Sequence, residues 1–242
     1  MSQTEKFIVS CSHCGLNGIC IPRSLTSEEI DLVDAEIRRA KPLHKNSLVF
    51  ETGDPFTSIY AVRSGALKAY NIDENGEEYV VGFFLPGELI GLDSIDSGVH
   101  LNTAKTLETS TLCEIPFDQV ETLSKRIHNL QSHMYRILSR EIGEDQKLQL
   151  LLGKKTAEEK IGTFILNLSH RYKQRHLSST LFRLPMARTD IANYLGLAVE
   201  TVSRIITRLQ VQKILKVDGK DVEILNHQQL CLVAHSQCIA DA

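Results

Sequence analysis

The chain is poor in the residues that interrupt regular structure. It has 6 proline and 14 glycine in 242 positions, too few for a low-complexity, collagen-like or linker-dominated protein. It also has no long apolar run. The most apolar stretch, Tyr79 to Leu85, is far too short to span a bilayer, and the opening MSQTEKFIVS lacks the apolar core of a signal peptide. A cytoplasmic protein with no membrane partner is therefore expected. A Gly-rich nucleotide loop, a Ser-His-Asp grouping with supporting context and a second set of cluster-type cysteines are all missing. These gaps argue against an enzyme and against an iron-sulfur electron-transfer protein.

What is there reads as globular: 42% of residues are hydrophobic and 24% charged, in a chain long for one domain and comfortable for two. The net charge of −3 hides a division. Residues 153–220 hold 13 Lys or Arg against 5 Asp or Glu, a balance of +8 that leaves −11 for the remainder. One basic part attached to an acidic one is the pattern of a polyanion-binding domain joined to something else.

Three of the six cysteines, Cys11, Cys14 and Cys20, lie in the short run C-S-H-C-G-L-N-G-I-C. In a reducing compartment such cysteines point to metal or redox chemistry rather than to structural disulfides. Three thiolates need a fourth ligand to close a tetrahedral zinc site or to hold an iron-sulfur cubane. Cys113, Cys231, Cys238 and His13 are the candidates. Cys231 and Cys238, seven apart near the C-terminus, read as ordinary helix cysteines.

Further along, Thr26 or Ser27 can cap a helix, with Glu29 three residues after Thr26 and Ile30, Val33 and Ile37 as its apolar stripe. From Lys41 the pattern turns to short runs rich in Val, Ile, Phe and Tyr. Gly53, Gly65, Gly76 and Gly87 punctuate them at intervals of 12, 11 and 11 residues, which predicts an antiparallel sandwich or barrel extending to about Ile115.

Between Phe117 and Leu152 the periodicity is helical. Leu138, Ile142, Asp145, Gln149 and Leu152 share one face, beside a stripe of Ile127, Leu130, Met134 and Ile137. Two apolar faces suit a helix that packs on the sheet with one and on a second subunit with the other. Met134, Leu138, Ile142, Asp145, Gln149 and Leu152 are the expected dimer interface. Asp145 would oppose its own copy there, so pairing would be conditional.

A helix from Ala157 to about Arg175 precedes L-P-M-A-R-T-D-I-A-N-Y-L-G-L-A-V-E-T-V-S-R, from Leu184 to Arg204, which reads as helix, Gly-containing turn, helix. On the second helix Val202, Ile205, Ile206 and Leu209 form a packing face, while Glu200, Ser203, Arg204 and Thr207 occupy the other. Arg can donate twice to guanine, Glu can accept from the cytosine amino group and Ser can serve base or backbone. Ala198 is a poor cap for this helix. Ile214 to Val217 and Val222 to Leu225 then predict a hairpin, hence a winged helix.

This order of parts, with Y-L-G-L-x-V-E-T-x-S-R as its specific motif, resembles the CRP-FNR superfamily of bacterial transcription regulators over nearly the whole chain. The branch it resembles is that of the oxygen-sensing fumarate and nitrate reduction regulators. The resemblance implies an α+β fold: a cysteine-rich lead (1–21), an antiparallel β-roll sensor domain (22–116), a long dimerisation helix (117–153) and a C-terminal winged helix-turn-helix domain (154–242). It implies that Cys113, in T-L-C-E-I-P, is the fourth ligand and that Cys11, Cys14, Cys20 and Cys113 bind a 4Fe-4S cluster, with zinc as the alternative. Gly15 stands where some relatives have serine.

By the same resemblance the intact cluster promotes homodimerisation and oxygen reverses it. Glu200, Ser203 and Arg204, with Thr201 and Arg188, would contact double-stranded DNA at TTGAT-type half-sites. Val199 stands where cyclic-AMP-dependent relatives tend to carry a further arginine. Ile72, Asp73, Gly76 and Glu77 of the acidic hairpin would touch RNA polymerase. A cyclic nucleotide is not expected, because Ser97 to Thr103 lacks the arginine its phosphate needs.

Overall fold

The computed structural model describes residues 9–235, which divide into two compact units. Residues 9–71 and 83–140 form the first, and residues 72–82 with 141–235 form the second. Among the described residues no helix is long and apolar enough to cross a membrane.

The first unit opens with two single-turn 3-10 helices, Cys11–His13 and Ile21–Ser24, followed by α1 (Ser27–Glu36). Helix α1 starts where the sequence signals it. The Thr26 amide donates to Glu29 Oε2 at 2.8 Å and the Glu29 amide donates to Thr26 Oγ1 at 3.3 Å, a reciprocal capping box. Eight strands follow in chain order, β5 lying for most of its length within residues 72–82 of the second unit: β1 (Arg38–Arg39), β2 (Leu48–Phe50), β3 (Ser58–Ser64), β4 (Leu67–Ile72), β5 (Glu78–Phe84), β6 (Leu89–Ile90), β7 (Thr103–Thr106) and β8 (Thr111–Pro116). They make two antiparallel four-stranded sheets, in the orders β1-β8-β3-β6 and β2-β7-β4-β5, as the evenly spaced glycines predict. In the central pair β3 and β8, Ile59 faces Ile115 and Ala61 faces Cys113.

The helical stretch after the sheet is two helices rather than one. Helix α2 (Phe117–Ser124) ends before α3 (His128–Lys154) begins. Val120, Leu123, Ile127 and Leu130 keep a helical period across the break and all enter one core, so periodicity alone does not reveal it. That core also takes Ile21, Val33, Ile59, Ile115, Met134 and Ile137, with Cys20 and Cys113 packed at its margin.

The second unit contains the C-terminal half of α3, then α4 (Ala157–Gln174), β9 (Leu181–Arg183), α5 (Arg188–Leu195), α6 (Val199–Val211), β10 (Leu215–Asp218), β11 (Asp221–Ile224) and α7 (His227–Val233). Helix α4 repeats the capping box, with Thr156 and Glu159 as partners. Strands β10 and β11 form the expected hairpin, and β9 joins it to complete a three-stranded sheet. Cys231 is buried on α7, with its Sγ 3.7 Å from His227 Nδ1. Cys238 lies outside the described residues.

Candidate functional site

Cys11, Cys14, Cys20 and Cys113 line one pocket, together with Leu16, Asn17, Ile21, Ile37, Val62 and Arg63. Two stretches of chain meet there. The N-terminal lead winds through its short turns and lays Ile19 over Gly87, whose φ of +91° and missing side chain both matter: a Cβ there would lie 2.6 Å from Ile19 Cδ1. Strand β8 brings Cys113 from the sheet. Of the other candidate ligands, His13 is exposed and bonds Ser10 Oγ at 3.0 Å, and it does not line the pocket. At Gly15 an added Cβ would meet nothing within 4 Å.

The pocket is apolar enough to oppose ionisation. Burial pushes the Cys20 thiol up to about 12, and burial with the neighbouring Asp34 does the same for Cys11. Burial also raises Cys113, against the pull of Arg39 and Arg63. These thiols stay protonated at neutral pH unless something cationic takes their charge, so binding a metal group as thiolates must release protons. Among the described residues no three His, Cys, Asp or Glu groups converge as a single metal ion requires. Four thiols around one pocket, with Arg39 and Arg63 beside it, are a donor set suited to a cationic metal group bound through thiolates.

Side chains that no spacing in the sequence marks stand behind these ligands. Arg39 Nη2 donates to Cys11 Sγ at 3.6 Å and pairs with Asp34, whose Oδ1 also accepts the Cys11 amide at 2.7 Å. His133, buried on α3, donates from Nε2 to the Cys20 carbonyl at 3.2 Å. A carbonyl can only accept, which fixes the proton on that nitrogen.

On α3 the expected interface residues separate. Met134 is buried in the first unit's core beside Leu130 and Ile137, so it is not part of an exposed stripe. Leu138 and Leu152 are half-buried, whereas Ile142, Asp145 and Gln149 are exposed, Ile142 by 59%. Tyr135, 63% exposed and three residues before Leu138, extends this face and was not anticipated.

Helices α5 and α6 meet at Gly196, whose φ of +61° is the left-handed turn that stops α5. Val202, Ile205, Ile206 and Leu209 are all buried, as the facial pattern predicts. Glu200, Arg204 and Thr207 are exposed on the other face, with Ser203 and Thr201 half-buried. Exposed Arg188, at the start of α5, reaches Ser203 Oγ from Nη1 at 3.4 Å. Ala198 caps α6 without a side-chain hydrogen bond. In the hairpin between β4 and β5, Asp73 accepts the amides of Asn75 and Glu77 at 2.9 Å each, so it shapes the turn whose neighbours Ile72, Gly76 and Glu77 are exposed. In the loop 97–103, His100 is 3% exposed and stacked on Phe50 with ring centroids 3.7 Å apart.

Residues 40–126 match the family of the cyclic nucleotide-binding domain, and residues 159–233 match the Crp-like helix-turn-helix domain. The chain is 48% identical over 224 residues to the transcriptional activator protein FnrA of Stutzerimonas stutzeri, covering 93% of this chain and 92% of that protein. It is 46% identical over 233 residues to the fumarate and nitrate reduction regulatory protein of Escherichia coli K12, covering 96% and 93%. Among solved structures it is similar to FixK2 of Bradyrhizobium japonicum, at a TM-score of 0.75 and 27% identity, covering 81% of this chain and 96% of that one.

Proposed function

Because the chain belongs to the CRP-FNR family of transcription regulators, and to its FNR type, we propose that it is an oxygen-responsive regulator of anaerobic metabolism whose DNA binding depends on a 4Fe-4S cluster. Cys11, Cys14, Cys20 and Cys113 hold that cluster. The observation that carries this reading is the pocket they share, drawn from two parts of the chain 93 residues apart at Cys20 and Cys113. When bound, the cluster supplies an oxygen-labile tie between the N-terminal lead and β8.

The chain's own residues pass that tie to α3. His133 holds the Cys20 carbonyl, and Ile21 packs in the same core as Leu130, Met134 and Ile137. Holding the lead in place therefore holds the first half of α3. The helix continues into Ile142, Asp145, Gln149 and Leu152, which face their copies in a homodimer. Two Asp145 carboxylates brought together repel, so pairing needs a compensating gain elsewhere. About 3 kcal/mol of coupling changes the dimerisation constant roughly a hundredfold.

A dimer presents two α6 helices to a palindrome whose half-sites lie about one DNA turn apart. Glu200, Ser203 and Arg204 read TTGAT-type half-sites, with Thr201 and Arg188 beside them, and the turn at Ile72, Asp73, Gly76 and Glu77 contacts RNA polymerase. Against a cyclic-nucleotide ligand, the loop 97–103 has no arginine, and His100 stacks into the interior. A zinc-held constitutive regulator would use the same four thiols and differ only in the metal. The visible spectrum of anaerobically purified protein, with iron, sulfide and zinc assayed, tests the reading. Iron and acid-labile sulfide in equal amounts are expected; a colourless protein with one zinc per chain would overturn the sensing role and leave the DNA-binding one.

A further inference from the structure

Resting on that reading of the cysteine pocket, we infer that Arg39 sets the stability of the bound cluster, by donating to the Cys11 sulfur from a guanidinium that Asp34 locks in place. Strand β1 consists of two arginines that behave differently. Arg38 points outward to Glu114 at 3.4 Å with its side chain 69% exposed, while Arg39 turns inward and is 12% exposed. Strand alternation makes the choice: of two consecutive residues, one faces the pocket. Arg39 is also the cross-strand partner of Cys113, so its backbone is fixed against one ligand while its Nη2 donates to the sulfur of another.

Asp34 completes the arrangement. It pairs with Arg39 and accepts the Cys11 amide, so one carboxylate orients both the arginine and the first cysteine. The Arg39 Nε is buried and has no partner. A buried donor left unsatisfied is costly, so this nitrogen has a hydrogen bond still to give beside a pocket whose occupant is anionic. Arginine suits the task because its charge is permanent and its donors form a rigid fork; lysine would supply the charge without the fork. Residues that hydrogen-bond metal ligands and so orient and tune them commonly change metal affinity by about 10–100-fold when replaced.

The test uses full-length protein purified without oxygen: wild type, R39M, R39K, D34N and the outward-facing control R38M. Three quantities are read: iron and sulfide per chain, the rate at which the visible absorption is lost in air, and the midpoint potential of the cluster. R39M should lose its absorption about tenfold faster than wild type. Its potential should be more negative, because reduction would lack a nearby positive charge. R39K should fall between, D34N should share part of the loss, and R38M should match wild type. Should R39M not load, R39K decides: an intermediate rate with a shifted potential supports the inference, and wild-type values overturn it. An R39M protein that loads fully and matches wild type in rate and potential also overturns it. A wild type without iron and sulfide overturns instead the reading on which the inference rests.

Discussion

The cysteine pocket and the reading helix differ in how far each is complete on its own. Helix α6 is backed by Val202, Ile205, Ile206 and Leu209, all buried, and its polar face needs nothing more from the protein before it meets DNA. The pocket is lined by the lead, β3 and β8 and braced by side chains of α1, β1 and α3, and burial pushes its Cys11 and Cys20 thiols towards the protonated form. One region is built in advance, while in the proposed regulator the other depends on a bound group that takes its charge, and that dependence is what would make it the conditional end of a switch.

The largest effect should come from removing a ligand. Cys113→Ser should cut bound iron by about tenfold or more while leaving the thermal melting of the second unit unchanged. Iron assay and differential scanning calorimetry on one sample would separate the two regions. If the second unit also lost stability, the regions would not be independent.

The reverse experiment is Arg204→Ala. Losing a bidentate contact to a base costs about 1–3 kcal/mol, so affinity for the palindrome should fall by about 5–150-fold and discrimination should relax at one base pair of each half-site. Fluorescence anisotropy under nitrogen measures this, and iron content should not change. At Gly196 an alanine must hold the left-handed conformation, at a cost of about 1–2 kcal/mol, visible as a lower melting temperature of the second unit alone. The smallest change should be Thr26→Ala, which removes one side of the α1 capping box for about 1 kcal/mol and should appear only in the first unit's melting.

How legible each region is in the sequence follows from the same contrast. The helix-turn-helix is local: its packing face, its Gly turn and its wing all lie within about forty residues, and periodicity finds them. The roll is legible because its glycines fall at the turns. Arg39, Asp34 and His133 were not legible, because each acquires its role through partners far along the chain. Arg39 pairs with Cys113 across strands, and His133 meets a carbonyl 113 residues away. No spacing rule marks such residues. Met134 was placed on the wrong face because it stands four residues before Leu138, and a helical period does not divide two adjoining stripes. Tyr135 escapes a stripe defined by aliphatic residues alone.

The most direct test of the link between the two regions is sedimentation equilibrium on one anaerobic preparation, run before and after exposure to air, with iron and sulfide assayed in each state. The expected result is a dimer that carries iron and sulfide, becoming a monomer as both are lost. A protein that keeps the same association state while its iron and sulfide disappear would contradict the coupling of the cysteine pocket to α3.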